Sequence, residues 1–258
     1  NNYICEMDSF IYLLLETLIV GLMILGLYAS KKHFGIGLLF IFIGTMQFFQ
    51  TILSGNVYNL YFDLFLFSPG STLVFISTLF AVLLIFRNES IIKVRSVIYG
   101  IILSNLVLVF LSYISLEQIL SDNYSRNSTF LAEIFNFDIT LFLTGIVLLY
   151  LDMILIVFVF RYLESKFSKN YFLQFAGATI FTAVLDSLLF YTLNFYSALN
   201  YSEMMIGNIA GKVLVCLILS TLFAFYFMIN PQRESNKRKA LQVKDILMII
   251  NFTTNGKR

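Results

Sequence analysis

The chain has 258 residues, 59% of them hydrophobic and only 12% charged, with a mean hydropathy of +0.85. A soluble domain carries about 25% charged residues to cover its surface, so a water-soluble globule is excluded. Apolar runs of about 17–25 residues without apolar/polar alternation also exclude a transmembrane barrel and leave an all-α, polytopic integral membrane protein.

Polar breaks divide the chain into seven apolar segments, residues 10–29, 34–53, 71–86, 97–114, 140–160, 172–193 and 204–228. Each is long enough to cross about 30 Å of hydrocarbon, some with tilt. The breaks alternate in charge. Lys31 and Lys32 follow the first segment, Arg87, Lys93 and Arg95 the third, and Arg161, Lys166 and Lys169 the fifth. Arg233, Lys237, Arg238, Lys239, Lys244, Lys257 and Arg258 follow the seventh, so of the 17 basic residues only Arg126 and Lys212 lie elsewhere. The opposite breaks carry Glu6, Asp8, Asp63, Glu117, Asp122, Glu133, Asp138 and Glu203. The positive-inside rule then gives an outside N-terminus, a cytoplasmic C-terminus and an odd number of spans. We divide the chain into a seven-helix transmembrane domain, residues 1–230, and a cytoplasmic tail or connector, residues 231–258.

The break at 115–139 is long enough to act as a lid over the outer mouth or as a plain tether. Its Asn123 and Asn127 triplets are glycosylation acceptors only in a eukaryotic secretory context. The first residues lack a charged n-region with a small-residue cleavage site, so no signal peptide is expected. At the other end, Asn230-Pro231 closes span seven. Arg233–Lys239 is a basic run suited to anionic headgroups, and Leu241, Ile246, Leu247, Ile249 and Ile250 recur on an amphipathic helix. That tail reads either as an interfacial anchor or as a connector to a cytoplasmic signalling domain.

Cys5 and Cys216 are too far apart in context for a disulfide framework or a thiolate metal site, and His33 is the single histidine. No metal, cofactor or nucleotide motif is present, so we expect no enzyme activity, no cofactor, no metal site and no nucleic-acid partner. The informative residues are the ionisable groups inside the spans: Glu16, Asp152, Asp186 and Lys212. Each costs about 2.5–3.5 kcal/mol at mid-bilayer, so such groups face the bundle interior and mark ligand or ion pathways, or pair as a helix-to-helix salt bridge. At about 1.5 Å per residue, Glu16, Asp186 and Lys212 sit roughly 9–12 Å below the outer surface, where they can share one pocket. Asp152 lies roughly 18 Å down, as a floor or an inward station. Asn208, Ser187, Asn105, Gln47 and Gln50 are polar neighbours, and Phe190, Tyr191 and Phe195 supply aromatic surface near the mouth. A pocket with excess carboxylate suits a ligand with a cationic or hydrogen-bond-donating edge.

Two family resemblances follow from these residues. A Lys in span seven with an outside N-terminus resembles microbial rhodopsins, which attach retinal to such a Lys; span three has no carboxylate counter-ion and the chain has no Trp, which makes this the remote alternative. The stretches Tyr150-Leu-Asp152-Met, Val159-Phe-Arg161-Tyr-Leu, Ala183-Val-Leu-Asp186-Ser-Leu-Leu-Phe190 and Asn208-Ile-Ala-Gly-Lys212-Val-Leu resemble the vitamin uptake transporter family, which includes queuosine-precursor transporters. Ser68-Pro-Gly-Ser-Thr72 and Lys93-Val-Arg95 before Val97-Ile-Tyr-Gly100 extend the likeness over residues 65–230. The resemblance implies that Asp152, Asp186 and Lys212 take the places of the family's intramembrane charges. It also implies a vitamin or 7-deazapurine-like ligand, and carrier function as the leading expectation. Transporters of the family carry an Asp toward the inner end of span three, where this chain reads Phe80-Ala-Val-Leu-Leu-Ile-Phe86. That departure supports the alternative, a ligand-sensing or anchoring input module for a cytoplasmic signalling domain, since modules resembling this family occur ahead of kinase or cyclase domains. The expected partners are the lipid bilayer, a small organic ligand, and a signalling domain or a second copy of the chain. The expected location is a prokaryotic inner membrane.

Overall fold

The computed structural model describes residues 2–61, 65–121, 128–136, 138–167 and 170–230, without the side chains of residues 2–9 and 128. The elements in chain order are α1 (Asn2–Ala29), α2 (Lys31–Phe34), α3 (Gly37–Asn56), β1 (Asn59–Tyr61), β2 (Phe65–Phe67) and a π-helical turn, Gly70–Val74. They continue as α4 (Phe75–Asn88), α5 (Ile91–Ser121), α6 (Ser128–Phe135), α7 (Ile139–Lys166), α8 (Tyr171–Phe195) and α9 (Tyr201–Ile229). Among the described residues seven helices are long and apolar enough to cross a membrane. The chain is a multi-pass membrane protein.

The seven predicted segments fall on these helices with shifted ends. Residues 34–36 are not part of the second span, because Gly35 adopts a left-handed φ of 75° and closes the short α2 before α3 begins. The described part of the break at 115–139 is more ordered than a tether: α5 runs on to Ser121, and α6 folds back against it. Asp138 starts α7 as its N-cap, accepting from Thr140 N at 2.8 Å and Leu141 N at 3.2 Å. Asn123, Asn127 and the whole tail from Pro231 lie outside the described residues, as do the side chains of Cys5, Glu6 and Asp8.

Hydrophobicity alone does not hold helices together in lipid; close packing and buried polar contacts do. Every residue of α4 from Phe75 to Phe86 is buried, which makes it the central helix, enclosed by α1, α3, α5, α7, α8 and α9. Phe80 meets Phe175 and Phe223 at ring-centroid distances of 6.0 and 5.0 Å, Phe160 meets Phe175 at 5.1 Å, and Phe227 stacks on Phe175 at 5.5 Å. These rings, each at most 2% exposed, fill the half of the bundle toward the α4 C-terminus.

That end also gathers charge. Glu89 accepts from Lys31 and Lys93, both at 2.6 Å, and from Tyr28 Oη at 3.2 Å. Arg161 pairs with Glu164. Arg87 reaches Gln174 Oε1 at 3.2 Å, with its guanidinium 4.4 Å from the Tyr171 ring and 4.5 Å from that of Phe227. Through Glu89 these contacts bring basic residues of two separate breaks, Lys31 and Lys93, together at one end of the bundle.

The opposite end carries the antiparallel hairpin, with Tyr61 stacked on Phe67 at 4.1 Å. Its backbone lies directly against α9. A Cβ on Gly207 would come within 2.6 Å of Leu66 O, and one on Gly211 within 2.8 Å of the Phe67 ring. Gly70 has the same role for α3, since a Cβ there would meet Gln50 O and Ser54 N at 2.5 Å.

Candidate functional site

A cavity of about 470 Å³ opens at the hairpin end, within the usual size range of small-molecule sites. Its walls come from α3, the residues flanking the hairpin, α5, α7, α8 and α9. The aromatic lining is Phe190, Tyr191 and Phe195 of α8, Tyr58 before the hairpin, Phe75 of α4 and Phe142 of α7. The three α8 rings contact one another at centroid distances of 5.5–6.0 Å.

At the cavity floor Asp186 of α8 and Lys212 of α9 form an ion pair, and both line the cavity. They are 7% and 3% exposed, so little water competes for them. Lys212 Nζ also donates to Ser187 Oγ at 3.0 Å and stands 4.5 Å from the Phe75 ring. Ser187 Oγ, with one proton to share, lies 2.9 Å from Ala183 O and 3.0 Å from Asn208 Oδ1, and Asn208 Nδ2 donates to Ser71 Oγ at 2.8 Å. This chain of contacts ties α8, α9 and the π-helical turn into one polar floor. Helical spacing explains it, because Asn208 lies one turn before Lys212 on the same face of α9.

Asp152 does not line the cavity. It is buried behind the pair on α7, facing Asp186 and within electrostatic reach of Lys212, and its Oδ2 has no hydrogen-bond partner. Two carboxyls and one ammonium leave this group one negative charge in excess when both acids are ionised. A low-dielectric interior disfavours such an excess, which either a proton kept by one of the two acids or a cationic or donor-bearing ligand edge relieves.

Glu16 is not brought to the group. Its side chain is exposed and absent from the cavity lining. The depth arithmetic placed it at the right level, but depth does not fix azimuth. Leu13, Thr17, Ile24 and Tyr28 form the buried stripe of α1, and Glu16 lies about a third of a turn away from it. Gln47 is fully buried beside the site without lining it, whereas Gln50 and Asn105 line it.

Sequence reasoning missed Phe75, Tyr58, Ser71 and Asp138, all of which line the cavity. Phe75 and Ser71 carry no signal of their own in an apolar segment. Tyr58 is positioned by the hairpin, for which the aromatic run between Asn59 and Ser68 was the available signal.

A family model described as vitamin uptake-like sensor matches residues 21–227. No curated protein and no solved structure matches at a significant level. The matched region runs from the middle of α1 almost to the end of α9 and contains Asp152, Asp186 and Lys212. It extends the vitamin-uptake likeness, noted over residues 65–230, back through α3 and into α1. The chain belongs to the vitamin uptake-like sensor family.

Proposed function

We propose that this membrane domain senses a small organic molecule, which it binds at the Asp186–Lys212 floor from the face expected to lie outside the cell. The observation that carries this reading is the packing below the site. Phe80, Phe160, Phe175, Phe223 and Phe227 occupy the path toward the opposite end, and Phe80 begins the stretch where related transporters carry an acid. A filled inner half suits a domain that registers occupancy and passes it to a cytoplasmic partner through the helix ends around Arg87 and Glu89. The ligand is vitamin-sized, with a flat ring for the aromatic walls and a cationic or donor edge for Asp186; no reaction is assigned. A prokaryotic inner membrane remains the expected location.

Carriage across the membrane is the second reading, favoured by the unpartnered Asp152 Oδ2 one step further in. One experiment separates the two: equilibrium binding and flux measured on the same proteoliposomes with a panel of vitamins and 7-deazapurines. Sensing predicts binding that is lost in Asp186→Ala, without flux. Flux that depends on Asp152 would overturn it in favour of carriage.

A further inference from the structure

Two side-chain amides beside the cavity are oriented by groups that can only accept. Gln47 Nε2 donates to Ile43 O at 3.3 Å and to Thr78 Oγ1 at 3.2 Å. The Thr78 hydroxyl proton is already directed to Val74 O, 3.0 Å away, so toward Gln47 it acts as an acceptor. Gln47 Oε1 is thereby left facing Asn105, whose Nδ2 donates to it at 3.0 Å and to Ile101 O at 3.0 Å. A primary amide has two donor hydrogens and one acceptor oxygen. Both Asn105 hydrogens are committed, so Oδ1 is what Asn105 has left for the cavity it lines. Gln50 also lines the cavity, but its Oε1 is buried away from it and has no partner, so Asn105 Oδ1 is the amide acceptor that a ligand meets.

We infer that Asn105 presents its Oδ1 to the cavity as an acceptor that selects a ligand edge bearing an N–H donor, as in an aminated heterocycle, and that Gln47 is the positioning residue that, together with Ile101 O, fixes that orientation. The inference rests on the binding function proposed above. A ligand presenting a carbonyl or carboxylate oxygen there would set lone pair against lone pair, while the same ring with an amino group meets the acceptor. Asp186, across the cavity, accepts from the ligand's other side.

The test compares 2,4-diaminoquinazoline with quinazoline-2,4-dione, two probes of the same outline, by titration calorimetry on the full chain in nanodiscs. The expected result is that the diamino ring binds at least about tenfold more tightly. Gln47→Met, which leaves Ile101 O alone to hold the Asn105 amide, should lower that ratio by at least about threefold without weakening the dione. If Gln47→Met does not fold, Asn105→Leu removes the acceptor and should weaken the diamino ring alone. A dione bound as tightly as the diamino ring overturns the acceptor role of Asn105 and leaves the binding function standing. A ratio unchanged in Gln47→Met, or in Asn105→Leu where that variant takes its place, overturns the roles assigned to these amides. Binding of neither ring also overturns the inference; the binding function falls with it only if the vitamin and 7-deazapurine panel fails as well.

Discussion

Replacing Lys212 by Met tests whether the polar floor is a desolvated charge group. The substitution keeps the length of the side chain and removes the pairing to Asp186, the 3.0 Å bond to Ser187 and the contact with the Phe75 ring. Asp186 and Asp152 are then left as two facing carboxyls, 7% and 3% exposed, without a cation. Removing one partner of a buried pair costs about 3–5 kcal/mol, which for a chain of this size lowers the melting temperature by about 6–20 °C. Removing the second partner as well, in Lys212→Met/Asp186→Leu, should recover more than half of the loss, because replacing a buried pair by apolar groups is often near neutral. Unfolding can be followed with a thiol-reactive dye on Cys216, which is buried on α9, in a Cys5→Ser background. A fall below about 2 °C for Lys212→Met, or a double variant as unstable as the sum of the single ones, would refute the argument that these charges are buried and mutually dependent.

Glu89 makes acid stability measurable outside the spans. Burial pushes its carboxyl up, but the hydrogen bonds and charges of Lys31 and Lys93 outweigh burial and hold it below the ordinary 4.5. Its contribution is therefore present above pH 4.5 and lost as the pH falls through that value toward the folded one. With Lys93 largely exposed the contribution is about 0.5–1 kcal/mol, so Glu89→Gln should shrink the melting-point drop between pH 7 and pH 4 by about 1–4 °C. Gly207→Val should push the hairpin off α9 and cost about 1–3 kcal/mol, seen as faster proteolysis within residues 58–67, whereas Gly26→Ala, with open space around it, should not destabilise. For topology, cysteines placed at Ser202 and Ser90 in a Cys5→Ser background should react with an impermeant maleimide from outside and only after permeabilisation, respectively. The reverse pattern would invert the orientation read from the charges.

The spans were legible because each is a long apolar run between charged breaks, and the ends were less so because the helices continue past those runs. Ser115–Ser121 mixes polar residues with Leu116, Ile119 and Leu120 and continues the helix, with α6 folded back against α5. The hairpin was illegible for a different reason: its fit depends on Gly207 and Gly211, more than a hundred residues away in the chain, which look like ordinary small residues in an apolar helix. At the site, rarity identified Asp152, Asp186 and Lys212, since a charge in an apolar helix must be accounted for. Rarity said nothing about Phe75 or Tyr58, and it placed Glu16 by depth without its azimuth. The orientation of Asn105 became readable only once Ile101 O and Gln47 were seen beside it.

The most direct test of the central claim is a ligand-resolved structure of the full chain purified from its native membrane. The account predicts density for a small flat molecule in the cavity between Asp186, Lys212 and the Phe190–Tyr191 wall, with the aromatic cluster around Phe175 still closed beneath it. Density for a ligand elsewhere in the bundle, with this cavity empty, would contradict it.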